Sequence, residues 1–122
     1  MAVTRWLVDG MNVIGSRPDG WWRDRPRAMR EVVEQLRGLD EPVTVVFDGR
    51  PFELPDAGDV EVVFASRRGR NAADDDIAEL VAQAGEPEQW RVVTSDHELS
   101  ERVRDRGAQV VGTGAFRRRL DR

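Results

Sequence analysis

The sequence has no cysteine, no lysine, no tyrosine and a single histidine, His97. Without cysteine it can form neither disulfides nor thiolate metal sites. One histidine cannot build a His-rich zinc site. Without lysine, a P-loop, a Schiff base and a lysine-assisted phospho-acceptor site are all excluded. No apolar run approaches the ~18 residues of a membrane span. The chain opens Met1-Ala2-Val3-Thr4-Arg5 and reaches Asp9 too soon for a signal-peptide core, so the expected location is the cytoplasm.

The 122 residues, 39% of them hydrophobic, are enough for one real core and too few for two. Residues 1–122 are therefore expected to form a single domain. All 19 cations are arginine, set against 23 acids, and the net charge is −4. The charge is unevenly spread. Residues 1–30 carry six Arg against three acids, residues 71–101 one Arg against nine, and residues 102–122 seven Arg against two. An acidic patch bordered by basic segments follows from this pattern.

Five short runs rich in β-branched residues read as strands: Trp6-Leu7-Val8, 43–47, 60–64, Val92-Val93-Thr94 and Gln109-Val110-Val111. They do not alternate strictly between apolar and polar, which fits strands covered on both faces of a parallel sheet. Helical periodicity lies between them, over 27–37, 73–84 and 97–106. Gly38, Gly85 and Gly107 stand where these helices should stop. Asp96 is placed to cap the third. The order β-α-β-β-α-β-α-β predicts an α/β sandwich with a mostly parallel sheet.

The acids fall at the ends of these elements. Asp9 closes the first strand, Asp48 the second and Asp96 the fourth, while Asp74, Asp75 and Asp76 open a helix. Parallel strands share one C-terminal edge, and ligands bind at that edge. At ~4.8 Å between neighbouring strands, three adjacent strand ends bring their carboxylates within about 10 Å. Such a cluster must take up protons, stay solvated or bind a cation. Mg²⁺ and Mn²⁺ prefer oxygen ligands and are held by a few carboxylates plus substrate phosphate. A bound ion of this kind activates water for attack on phosphorus and needs no nucleophilic side chain. The plainer alternative is that each Asp caps a helix or closes an Asx turn, with Asp76 only a favourable charge in a first turn.

Asp9-Gly10-Met11-Asn12-Val13-Ile14, Val45-Val46-Phe47-Asp48-Gly49, Ala73-Asp74-Asp75-Asp76-Ile77 and Val92-Val93-Thr94-Ser95-Asp96 resemble, in order and spacing, the NYN domains of the PIN-like nuclease superfamily, and above all the bacterial YacP-like branch. The resemblance runs from Arg5 to Val111. It implies a PIN-like three-layer α/β sandwich with sheet order 3-2-1-4-5 and a metal-dependent ribonuclease activity. By position, Asp9, Asp74 and Asp96 match the metal-binding acids. Asp75 sits where a second acid often follows, Asn12 matches the amide after the first acid, and Asp48 matches the acid closing the second strand. The implied cofactor is Mg²⁺ or Mn²⁺, and the implied partner is RNA, free or within a ribonucleoprotein. A non-catalytic RNA-binding or scaffold module on the same fold is the alternative.

Around the acids, Arg50, Arg67, Arg68 and Arg70 are candidates to grip flanking phosphates through bidentate guanidinium contacts. Trp21 and Trp22, between arginines in the loop after the first strand, either stack on unpaired bases or pin the loop to the core. His97 is either a proton shuttle beside the site or an incidental first residue of its helix. Residues 115–122, with Arg117, Arg118, Arg119 and Arg122, read as a short basic tail.

Overall fold

A computed structural model describes residues 4–16, 20–49, 51–54, 57–66 and 71–121. Five strands, β1 (Arg5–Asp9), β2 (Val43–Phe47), β3 (Glu61–Phe64), β4 (Trp90–Val93) and β5 (Gln109–Val111), form one sheet in the order 3-2-1-4-5. Every neighbouring pair is parallel. Among the described residues five α-helices accompany them: α1 (Gly10–Gly15), α2 (Arg25–Leu36), α3 (Ala72–Gln83), α4 (His97–Arg104) and α5 (Thr113–Leu120).

The strands show no apolar–polar alternation because each face of the sheet has its own core. Trp6, Val8, Val45 and Phe47 point to one side and pack with Val13 and Ile14 of α1, Met29, Val32, Val33 and Leu36 of α2, and Phe116 of α5. Leu7, Val46 and Val92 point to the other and pack with Ile77 and Val81 of α3 and Leu99 and Val103 of α4. The two-residue period of a strand thus deals successive side chains to two helical layers. Strand β1 is central, and its Leu7 and Val8 are fully buried. Each such side chain contributes roughly 1.5–3 kcal/mol by leaving water.

Local chemistry sets the helix ends. Asp24 accepts from the Arg27 backbone N–H at 3.2 Å and Pro26 sits in the first turn, so α2 starts at Arg25, two residues before the periodicity predicts. Gly107 takes φ +100° after α4, and Ala108 N–H reaches back to the Val103 carbonyl at 3.1 Å, a left-handed cap. Gly38 and Gly85 are not in that conformation among the described residues; α2 and α3 close through Arg37 and Ala84 instead.

Residues 115–120 are not a tail. They belong to α5, whose fully buried Phe116 lies 5.2 Å from the Trp6 ring, centroid to centroid. Arg117 donates to the Ser16 carbonyl at 2.9 Å, tying α5 to the end of α1. Arg91 and Arg119 stand over the Trp6 ring at 5.5 and 5.3 Å. Arg122 lies outside the described residues.

Candidate metal centre at the carboxyl edge of the sheet

The strand order sets the carboxylates side by side. Asp9 ends β1, in register with Val46 of β2, so Asp48 follows just beyond on the neighbouring strand. Val8 pairs with Val93 of β4, which brings Thr94 alongside Asp9. The Thr94 hydroxyl donates to Asp9 Oδ2 at 3.0 Å. Helix α1 begins directly at Gly10, where any Cβ would run into the Phe47 ring, so only glycine lets the chain turn there.

Asp9 is 5% exposed. Burial pushes its carboxyl up to about 7, and the nearby charges of Asp74 and Asp48 push the same way; the Thr94 hydroxyl and the Asn12 backbone N–H oppose them. Asp74, in the first turn of α3, is also raised, by burial and then by Asp96, Asp48 and Asp75, against the pull of Arg102. Asp9, Asp48, Asp74 and Asp96 therefore share one electrostatic environment at one edge of the sheet.

Each of these acids has a structural duty as well. Asp48 Oδ1 accepts the Ala73 N–H at 3.1 Å, fixing the start of α3 and with it Asp74. Asp96 Oδ1 accepts the Leu99 N–H at 2.8 Å, the cap expected for α4. One oxygen of each is thus committed, and the second accepts no hydrogen bond among the described residues. Asp75 pairs with Arg102 at 2.9 Å, bridging α3 to α4, and Asp76 accepts from the Ser66 backbone N–H and hydroxyl. Asn12 Oδ1 accepts the Ser95 N–H at 2.8 Å. Its side chain holds the loop between β4 and α4. Ser95 in turn contacts Thr113 at the start of α5, oxygen to oxygen at 2.7 Å.

Among the described residues, no three His, Cys, Asp or Glu side chains stand grouped so as to hold a metal ion. In kind, the donor set suits a hard divalent cation: carboxylate oxygens, partly desolvated and raised by one another. A cavity of about 390 Å³ lies elsewhere, at the opposite end of the sheet between the α2–β2 connection and the start of β3, and includes none of these acids.

Arg50, Arg67, Arg68 and Arg70 lie outside the described residues. His97 is on the surface, 3.1 Å from Glu101 of its own helix. Trp21 and Trp22 form a 3₁₀ turn, Trp21–Arg23, with Trp21 half-buried against the core and Trp22 60% exposed. One residue at this edge was not singled out from the sequence. Arg25 Nη2 lies 3.9 Å from Met11 Sδ, and a Cβ on Gly49 would stand 3.8 Å from it. Its guanidinium thus sits between the residues that follow Asp9 and Asp48. No periodicity marks it; the only signal is that it opens a helix that Asp24 and Pro26 start.

A matched family model defines the class: the chain belongs to the YacP-like NYN domain family, over residues 6–122. That family is of nuclease type, with an RNA-related function, and its domains generally use divalent metals. Among solved structures, Rae1 (YacP) from Bacillus subtilis has the same fold, with a TM-score of 0.76 and 24% sequence identity over 99% of this chain and 74% of that one. Its W164L mutant matches at a TM-score of 0.77 and 24% identity, over 98% of this chain and 76% of that one. No curated protein matches the sequence. Among the described residues, no helix is long and apolar enough to cross a membrane.

Proposed function

We propose that residues 1–122 act as one domain, a metal-dependent endoribonuclease that hydrolyses RNA phosphodiester bonds at the carboxyl edge of the sheet. What carries this reading is the gathering of Asp9, Asp48, Asp74 and Asp96 at one edge of the sheet, where burial first and the neighbouring carboxylates second raise Asp9 to about 7 and Asp74 in the same direction. A fold gains nothing in stability from holding acids in that state; a divalent cation would relieve it. Asp9, Asp74 and Asp96 would hold Mg²⁺ or Mn²⁺. When bound, such an ion supplies an activated water at neutral pH and offsets charge developing at the phosphate.

The remaining roles belong to the chain itself. Thr94 fixes the rotamer of Asp9 from Oδ2. Asp48 positions α3 through the Ala73 N–H, and so aims Asp74, while its other oxygen would serve as an outer ligand or position water. Asp75, held by Arg102, braces α3 against α4. Asn12 holds the loop that carries Asp96. Because Asp9 must be ionised to act, metal binding and activity should rise as pH passes through about 7.

The capping duties of Asp48 and Asp96 favour one second reading, a non-catalytic RNA-binding module on the same fold. A labelled, unstructured oligoribonucleotide separates the two. Cleavage by the wild type with millimolar Mg²⁺ or Mn²⁺, abolished by chelator and by Asp74→Asn, is the expected result. RNA bound but never cut under either metal would replace the nuclease by the binding module.

A further inference from the structure

The loop that carries Asp96 is tied down one residue at a time. Thr94 gives its hydroxyl to Asp9 and its N–H to the Val111 carbonyl at 3.1 Å. Asp96 gives its N–H to the Thr94 hydroxyl at 3.1 Å and caps α4. Ser95, between them, is exposed, yet two helices hold it. Asn12 of α1 takes its N–H, while its Oγ accepts the Thr113 N–H at 3.0 Å and meets the Thr113 hydroxyl at 2.7 Å. Thr113 is buried and opens α5. Further along that helix, Phe116 packs on Trp6, and Arg117 donates to the Ser16 carbonyl at 2.9 Å and hydroxyl at 3.3 Å, just past the end of α1. Helix α5 thus grips α1 at its end and the Asp96 loop at its middle.

We propose that Thr113 is a positioning residue for the metal centre: from the start of α5 it fixes Ser95, and through Ser95 the place of Asp96 relative to Asp9. This rests on the metal-dependent reading and adds to it a residue from the last helix. Three observations carry it. Water could satisfy an exposed hydroxyl at little cost, so the contacts that Thr113 makes to Ser95 Oγ set its position and not its solvation. Ser95 stands between the residue that holds Asp9 and the residue that would ligate beside it, so a shift of Ser95 moves one acid against the other. The helix that carries Thr113 is itself anchored in the core by the fully buried Phe116, so it offers a fixed reference. Mg²⁺ demands near-ideal octahedral geometry with oxygens at about 2.0–2.1 Å, and residues that orient its ligands from behind weigh heavily on affinity. Thr113 carries no charge, so its effect is one of placement.

Mn²⁺ titrations followed by thermal melting at pH 8, without RNA, test the proposal away from cleavage. Thr113→Val keeps the branched shape and the N–H and removes only the hydroxyl. It should weaken Mn²⁺ binding roughly tenfold, and Thr113→Ser should restore it. In a Ser95→Ala background, Thr113→Val should weaken binding no further, because the two residues act through one contact. Leu36→Ala, buried at the opposite end of the sheet, should lower the melting temperature at least as far as Thr113→Val and leave Mn²⁺ affinity unchanged. Wild-type affinity in Thr113→Val, equal weakening in Leu36→Ala, or additive losses in the double variant would overturn the positioning role and leave the metal centre standing. A wild type that binds no Mn²⁺ would overturn both.

Discussion

Asp9 is the residue on which the site turns. Its carboxyl ionises near 7 in the folded chain against 3.8 as its ordinary value. Between those two values the folded state binds one more proton than the unfolded state. The Asp9 contribution to stability is therefore greatest at low pH, falls as pH rises through that window, and is flat above about 7. At ~1.4 kcal/mol per pH unit the window amounts to roughly 4 kcal/mol. Asp9→Asn, melted in chelator, should match wild type near pH 4 and exceed it near pH 8; equal melts at both would contradict the burial argument. The sequence shows that clustered acids must take up protons or bind a cation, but not that Asp9, one of 23 acids, is the one most deeply buried among them. Its position at a strand end was legible, because the β-branched run that precedes it stops there. What sequence could not supply is the register that brings Thr94 under the carboxylate, or the engagement of the Asn12 side chain with Ser95.

At the scale of elements, the helices at the carboxyl edge depend on the acids as much as the acids depend on them. Asp48 caps α3 from another strand, and Asp96 caps α4 from its own loop, so cap and candidate ligand are the same residue. One carboxyl group can fill both roles, cap and ligand, with one oxygen each. Helix α5 was the element least legible. Its arginines dominate the composition and mask the pairing of Phe116 with Leu120, four residues apart on one face. The strands were the most legible, because burial on both faces leaves a continuous β-branched signature. Phe116→Ala should cost about 3–5 kcal/mol in chemical denaturation, as a fully buried aromatic does. Arg118→Ala, on the exposed side of the same helix, should change stability by less than about 0.5 kcal/mol. If both variants behave alike, α5 is not docked as described.

For the whole molecule, the sheet order decides where the acids meet. Placing β1 between β2 and β4 puts three acid-bearing strand ends in a row, and the α3 start completes the set. An order that separated β2 or β4 from β1 would scatter them. The uneven charge along the sequence resolves in the fold into an acidic edge with Arg25 at its rim, and the pairing of Arg102 with Asp75 keeps one acid of the triplet engaged toward α4. The central claim is that this edge is built for a divalent cation. The most direct measurement is a pair of thermal melts at pH 8, wild type and Asp74→Asn, each in chelator and in millimolar Mn²⁺. An ion at ~100 times its Kd adds about 2.7 kcal/mol, a rise on the order of 10 °C for a domain of this size. The account predicts that wild type rises with Mn²⁺, and that Asp74→Asn starts higher in chelator and does not respond. A wild type indifferent to Mn²⁺, or a mutant that responds equally, would contradict it.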